Sequence, residues 1–207
     1  MPYDENSPQA KWGKAAETWV DLYRQELGWW RVPVSNLGAA ALCSGPDGKL
    51  IALDRLYFAG GNARWCDIKF KTAPVHYRIK DVMRHGIDLP NWHHYLAVQQ
   101  KSGIPGDLAI VVRRRHGDPQ LPDDPHLLWA PLDHLATCGE TGPVDSAFRD
   151  GGIFWNLADL PELGSIVLAG ADDLPPLDRN LHPWERRDRF GKLRLPPLRP
   201  LQMELFK

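Results

Sequence analysis

The chain has 207 residues, and 43% of them are hydrophobic, which is enough for a core of ordinary size and excludes wholesale disorder. Lysine and arginine number 25 against 26 aspartates and glutamates, so the formal net charge is -1. Any nucleic-acid binding must therefore depend on local basic patches instead of a global positive field. There is no long apolar run, no signal-peptide pattern in the first residues and no CxxC pair among the three cysteines, so we expect a cytoplasmic location.

Hydrophobic periodicity predicts a helix followed by three strands. Trp12, Ala16 and Val20 recur at helical spacing within residues 9–27, and Gly28 ends this pattern. Strand-like segments follow at residues 29–35, 50–58 and 64–70. The glycines before residue 62 predict a hairpin between the second and the third strand.

A second helix and further strands follow this hairpin. Asn91 can cap a helix over residues 92–102, and Gly103 suits its end. Residues 108–112 form an apolar strand, residues 127–129 and 153–155 predict two more strands, and residues 132–137 predict a helical turn. We expect a domain over residues 8–170 and an extended Pro- and Arg-rich tail over residues 171–207.

Two acidic residues and a lysine stand out around the hairpin. On a strand Asp67 and Lys69 share one face. If Gly60 and Gly61 form the turn, Asp54 lies opposite Asp67, and two opposed carboxylates suit a divalent cation. If Gly61 and Asn62 form the turn instead, Asp54 faces Lys69 in an ordinary cross-strand ion pair, and the turn residues alone leave both registers open.

Two polar residues on the predicted helices are further candidates. Glu17 lies beside the apolar stripe of the first helix, and Gly13 one turn earlier would let that helix approach a sheet closely. Taken alone, a helix-surface glutamate is usually solvated. Gln99 lies on the same stripe as Trp92 and Tyr95 of the second helix, where a buried amide needs a partner. A hydrogen bond within the core explains Gln99 equally well.

Together these residues resemble the PD-(D/E)XK nuclease superfamily. Its signature is an aspartate at the end of one strand and an Asp/Glu-x-Lys tripeptide on the next, which match Asp54 and Asp67-Ile68-Lys69. Many members add a helical glutamate and a helical glutamine, here Glu17 and Gln99. The resemblance spans about residues 9–115 and departs from the family in two ways, because no proline precedes Asp54 and the middle acid is an aspartate.

The resemblance implies a fold, a cofactor and a reaction. The fold is α+β, with a restriction-endonuclease-like αβββαβ core and a mixed central sheet flanked by helices. The implied cofactor is Mg²⁺ or Mn²⁺, and the implied ligands are Asp54, Asp67, the Ile68 backbone carbonyl and Glu17. Lys69 would activate or orient a water and offset charge on the phosphate, while Gln99 would position the water or a phosphate oxygen.

The resemblance also implies a function, hydrolysis of DNA phosphodiester bonds in phage, mobile-element or repair metabolism. Two alternatives stay open at this point. One is a catalytically inactive nuclease-fold module that binds DNA or a replication protein, and the other is an RNA-processing nuclease.

Basic residues and histidines suggest where nucleic acid would bind. Arg78, Lys80 and Arg84 precede the second helix and form either a phosphate-gripping loop or a solvated connector. The run Arg113, Arg114 and Arg115 is either a phosphate contact or a solubilising strand exit. The histidines fit substrate or structural contacts better than zinc, because the set contains no HxxxH pair; they are His76, His85, His93 and His94.

The tail ends in a peptide similar to the motif by which bacterial proteins dock on the DNA-polymerase sliding clamp. Within Gln202-Met203-Glu204-Leu205-Phe206, Gln202 would hydrogen-bond while Leu205 and Phe206 fill apolar pockets. The alternative is that Leu205 and Phe206 fold back onto the protein's own core.

Overall fold

The computed structural model describes residues 7–32, 53–71, 74–77, 80, 82–112, 126–142 and 150–165. In chain order its elements are α1 (Pro8–Glu26), β1 (Trp30–Val32), β2 (Arg55–Ala59), β3 (Asn62–Lys71), β4 (Val75–Tyr77), β5 (Val82–Asp88), α2 (Leu89–Ser102), β6 (Gly106–Val112), β7 (His126–Pro131), α3 (Leu132–Cys138), β8 (Glu140–Gly142), β9 (Gly152–Asn156), a 3₁₀ turn (Leu157–Asp159) and β10 (Glu162–Ser165). None of the described helices has the length and hydropathy needed to cross a membrane.

Helix α1 begins and ends where local chemistry dictates. The Ser7 side chain accepts a hydrogen bond from the Ala10 N–H, and a proline opens the first turn, where its missing N–H costs nothing. The helix ends before Gly28, which has φ 80° and so takes a conformation that glycine adopts without strain.

The central sheet has six strands in the order β1-β2-β3-β6-β7-β10. Strands β1, β2 and β3 run antiparallel as a meander, β6 lies parallel to β3, and β7 and β10 complete the sheet antiparallel. The chain passes from β3 to β6 through α2, as a parallel pair requires. The fold is thus α+β with a mixed sheet flanked by helices, and the predicted helix, three strands, helix and strand occur in that order, with β4 and β5 as two further strands between β3 and α2.

The β2–β3 hairpin has the first of the two predicted registers. Ala59 pairs with Asn62, and the ladder continues to Arg55 opposite Cys66. Gly60 and Gly61 form the turn with φ values of 54° and 83°, as a two-residue hairpin of type I′ needs. One step beyond the last pair, Asp54 therefore comes level with Asp67, and the register that opposes Asp54 to Lys69 is wrong.

The two faces of the central sheet carry separate cores. Helix α1 covers one face, where Trp12 stacks on Phe70 with ring centroids 5.1 Å apart, and Cys66 and Ile68 join this core. The other face packs against α2 and the second sheet. Because side chains alternate along a strand, Trp65 on this second face places Asp67 and Lys69 there too.

A second sheet, with the order β4-β5-β9-β8, is absent from the sequence prediction. Its strand β5 runs through residues that the sequence suggested as a basic loop. Helix α2 also begins earlier than predicted, because Asp88 is its N-cap and Pro90 lies in its first turn, so the predicted cap at Asn91 is wrong. Its predicted end is confirmed, since Gly103 has φ 66° and its N–H bonds to the Gln99 carbonyl.

Candidate active site

Asp54 lies just before β2, and its side chain adds one hydrogen bond to those that join β2 and β3. Its Oδ2 accepts a 2.8 Å hydrogen bond from the Ile68 N–H, so the carboxylate takes the place of a β2 backbone acceptor. In an antiparallel ladder the N–H and C=O of one residue point toward the same neighbouring strand. The Ile68 carbonyl therefore points to the side on which Asp54 lies.

Asp67 and Lys69 form a close ion pair beside Asp54. The Lys69 Nζ lies 2.7 Å from Asp67 Oδ2 and 3.9 Å from Asp54 Oδ2. The Asp67 side chain is 2% exposed, while those of Lys69 and Asp54 are 27% and 32% exposed. The three groups converge on a place that solvent still reaches.

Burial sets the protonation of this pair. Desolvation raises the pKa of Asp67 from 3.8 to about 7, the Lys69 ammonium opposes that shift, and Asp54 adds to it. Although burial disfavours the ammonium form, Asp67 and Asp54 together raise the pKa of Lys69. Lys69 consequently holds its proton and acts as a fixed positive charge between two carboxylates.

Tyr95 of α2 is a site residue that the sequence analysis did not single out. Its ring lies 5.6 Å from the Lys69 Nζ, and its hydrogen bonding with Asp67 lowers the pKa of that carboxyl, partly offsetting burial. The side chain is 2% exposed. A signal was present in the sequence, because Tyr95 lies one turn before Gln99 on the same helix face.

The carboxylates fit a Mg²⁺ ion that keeps water and phosphate ligands. Asp67 Oδ2 is buried and contacts the Lys69 ammonium at 2.7 Å, while the Asp54 carboxylate is 32% exposed and offers oxygens that solvent and a hydrated cation can reach. Within the described part of the chain no group of three or more His, Cys, Asp or Glu side chains is arranged as a metal site. Mg²⁺ often binds through only one or two carboxylates plus substrate phosphates, which agrees with what Asp54 and Asp67 offer.

Glu17 lies on the other face of the sheet. Its Oε2 is 2.5 Å from the Arg55 guanidinium, which also contacts Asp21 at 3.1 Å. Alternation along β2 directs the Arg55 side chain toward α1, and its guanidinium also donates to the Asp54 backbone carbonyl at 2.9 Å. Nor does Gly13 bring the helix close to the sheet, since a Cβ there would meet nothing within 4 Å. These contacts place Glu17 in an α1–β2 ion-pair network, and its role as a further metal ligand stays a prediction.

Gln99 is engaged at both ends of its amide by structural partners. Its Oε1 accepts a 2.6 Å hydrogen bond from the Gly106 N–H, and its Nε2 donates to Asp133 at 2.5 Å. These bonds tie α2 to the start of β6 and to α3. The core hydrogen bond, considered from the sequence as the alternative to water positioning, is what the structure contains.

Two of the basic residues predicted to contact phosphate, Lys80 and Arg84, form ion pairs with a glutamate of the same chain. Arg84 lies in β5, is 6% exposed, and donates to Glu140 at 2.7 Å and to Asn156 at 3.2 Å. Lys80 pairs with the same Glu140 at 2.6 Å. Arg84 thus joins β5 to β8 and β9, contrary to the predicted loop. The remaining predicted DNA contacts lie outside the described residues; they are Arg78, Arg113, Arg114 and Arg115.

Of the candidate histidines His85, His93 and His94, His85 is buried. It is 2% exposed, and burial, with Lys71 and His126 nearby, lowers its pKa to about 3. His93 is exposed and His94 is half-buried on α2. The side chain of His76 and the tail residues Gln202, Leu205 and Phe206 are outside the described part of the structure.

The fold has distant likenesses among proteins of known structure. No protein-family model and no curated protein matches the sequence. Among solved structures, the chain is similar to Hjc, a Holliday junction resolvase from the archaeal hyperthermophile Archaeoglobus fulgidus. The TM-score is 0.42 at 8% identity, and the alignment covers 73% of this chain and 91% of that chain. A likeness at this level assigns no activity to this protein.

Proposed function

We propose that the protein is a Mg²⁺- or Mn²⁺-dependent nuclease that hydrolyses DNA phosphodiester bonds at Asp54, Asp67 and Lys69. The observation that carries this proposal is the position of the Lys69 ammonium, 2.7 Å from Asp67 and 3.9 Å from Asp54 where β2 ends. Phosphodiester hydrolysis needs an activated water and neutralisation of charge on the phosphate. The resemblance of Asp54 and Asp67-Ile68-Lys69 to the PD-(D/E)XK signature supports the same chemistry.

Each residue of this centre has a separate task. Asp54 and Asp67, with the Ile68 carbonyl, would hold the metal ion, which supplies Lewis-acid polarisation and acidifies a bound water. Lys69 keeps its proton, so it orients the attacking water and offsets negative charge that accumulates on the phosphate. Tyr95 is a positioning residue, because it holds Asp67 and Lys69 in place from α2.

The proposal is tested by incubating the protein with Mg²⁺ or Mn²⁺ and labelled single-stranded, duplex and branched DNAs, with RNA as a further arm. We expect metal-dependent cleavage of DNA that Asp67→Asn lowers by at least about 10²-fold, the scale of removing one charge-stabilising group. The matched control is Asp150→Asn, because Asp150 is exposed and lies outside the site.

Three results would go against this proposal in different ways. Cleavage of RNA alone indicates the RNA-processing alternative. DNA binding without cleavage in any metal indicates a non-catalytic module. Equal loss of activity in Asp67→Asn and Asp150→Asn shows that the assigned centre is wrong.

We also propose, separately, that Gln202, Leu205 and Phe206 dock the protein on a bacterial DNA-polymerase sliding clamp. The support is the sequence similarity of this peptide to clamp-binding motifs. Tethering to a clamp on DNA would raise the local substrate concentration for a nuclease of modest affinity.

A further inference from the structure

Three basic side chains that the proposed chemistry does not use lie beside the candidate site. Lys71 follows Asp67 and Lys69 on one face of β3, because alternate residues of a strand share a face. Lys71 pairs with Val112 of β6, and Val112 pairs with His126 of β7. Directly opposed residues share a face, so Lys71 and His126 flank Val112 on the face that carries Asp67 and Lys69.

His85 reaches the same place from the second sheet. On β5 it shares a face with Ile87, which packs in one core cluster with Val112. Lys71 and His126 are the charged neighbours that act on it. His85 is 2% exposed, and its Nε2 has no hydrogen-bond partner among the described residues. A buried ring nitrogen in that state has an unused capacity to bind a ligand oxygen.

Lys71 has charged neighbours of both signs. Burial lowers the pKa of Lys71, the Lys69 ammonium lowers it further, and Asp88 and Asp67 oppose that shift. A phosphate that entered here would meet the Lys71 ammonium and the His126 ring, while His85, whose ring stays neutral, would add a hydrogen bond.

The spacing along β3 indicates which anion fits. Residues two apart on a strand are separated by about 6.5 Å. Neighbouring phosphates along one nucleic-acid strand are separated by a comparable distance. A nucleic-acid strand with one phosphate at Lys69 therefore has its next phosphate near Lys71.

We propose that Lys71, His85 and His126 form a second phosphate-binding subsite, which holds the phosphate next to the one at Asp54, Asp67 and Lys69. This inference rests on the proposed function, because it uses the same nucleic-acid strand. The bound group is either an internal phosphodiester or a terminal phosphate, and the experiment below separates these two sources.

The first test measures binding of a short fluorescent single-stranded oligodeoxynucleotide in EDTA over a range of salt concentrations. We expect Lys71→Gln to weaken binding several-fold and to reduce the slope of log K against log salt by about 0.7, the value for one phosphate contact on a single strand. The matched control is Lys11→Gln, because Lys11 is exposed on α1 across the sheet and should leave the slope unchanged. A wild-type slope in Lys71→Gln overturns the proposal.

The second test uses the wild-type protein and follows the imidazole NMR signals of His85 and His126, with His85→Gln serving to assign the His85 signal. Movement with a 5′-phosphorylated oligonucleotide but not with its 5′-hydroxyl form identifies a terminal phosphate, and movement with both identifies an internal one. If neither oligonucleotide moves these signals at saturation, the subsite does not exist.

The two proposals fail separately. A protein that binds the oligonucleotide through Lys71 but cuts nothing retains the subsite and loses the nuclease assignment. A protein that cuts DNA and shows no dependence of the salt slope on Lys71 retains the nuclease assignment and loses the subsite. A protein that binds no oligonucleotide loses both.

Discussion

The Asp54 carboxylate accepts a 2.8 Å hydrogen bond from the Ile68 backbone N–H at the point where β2 ends. This bond fixes the acid that precedes β2 against the middle of β3, although the two residues are separated by the whole hairpin. Since Ile68 lies between Asp67 and Lys69, the same bond sets Asp54 beside both of their side chains. The hairpin thus builds a two-carboxylate site, and the following predictions test it.

Replacing Lys69 should impair the chemical step more than substrate binding. Lys69→Gln removes the cation that lies 2.7 Å from Asp67, and with it the charge that would stabilise the reacting phosphate. We expect kcat to fall by about 10²–10⁴-fold, the range for losing a group that acts in the transition state, with a smaller change in KM. Steady-state kinetics on a labelled DNA provides the measurement. Lys101→Gln, on the exposed end of α2, is the control, and an equal effect of both variants would contradict the assignment.

Adding Mg²⁺ should stabilise the wild-type protein through Asp54 and Asp67. A ligand that binds only the folded state adds about 2.7 kcal/mol at 100 times its Kd, which corresponds to roughly 5–10 °C in Tm for a chain of this size. Calorimetry with and without Mg²⁺ measures this shift. The shift should disappear in Asp67→Asn and after addition of EDTA, and a full shift in Asp67→Asn would show that the metal binds elsewhere.

The metal-free protein should lose stability as pH rises toward neutrality. The folded pKa of Asp67, about 7, exceeds its ordinary 3.8, so between these values the native state keeps a proton that the unfolded state releases. The free energy of unfolding therefore falls with pH across this window, at up to about 1.4 kcal/mol per pH unit. Urea unfolding in EDTA at several pH values measures the slope. Asp67→Asn should remove this contribution to the slope, and an unchanged profile in that variant would refute the raised pKa.

Gln99 and Tyr95 should differ in what their removal changes. Gln99→Ala leaves the Gly106 N–H without its acceptor, so we expect a loss of about 1–3 kcal/mol in unfolding free energy with the rate per folded molecule retained. Tyr95→Phe removes hydrogen bonding that lowers the Asp67 pKa, so the acid limb of the pH–rate profile should move to higher pH. Denaturation and pH–rate profiles of both variants separate the two roles. A Gln99→Ala protein that is stable but inactive would restore the catalytic role expected from the sequence.

Truncation after Pro200 tests the clamp-docking proposal. Buried leucine and phenylalanine side chains contribute about 1.5–3 kcal/mol each, so removing Leu205 and Phe206 should abolish pull-down by a bacterial sliding clamp without changing Tm. A lower Tm, together with no clamp binding by the full chain, would show instead that these side chains cover the protein's own core.

The sequence by itself determined the order of the main elements and the residues of the hairpin site. Period-two alternation puts Asp67 and Lys69 on one strand face whatever the rest of the fold does, because it is a local property of extended backbone. Gly60 and Gly61 supply the two positive φ values of a tight hairpin turn. Gly103 marks the end of α2 for the same local reason.

The tertiary structure decided everything that depends on contacts between distant parts of the chain. Two turns were locally acceptable, and the whole β2–β3 ladder selected the one that sets Asp54 level with Asp67. The rotation of α2 against the sheet directs Tyr95 to Asp67 and leaves Gln99 at Gly106, a difference of one helical turn that periodicity does not resolve. Arg84 looked like part of an exposed basic loop because its partner Glu140 lies 56 residues away, and an ion pair at such a separation forms only when the second sheet assembles.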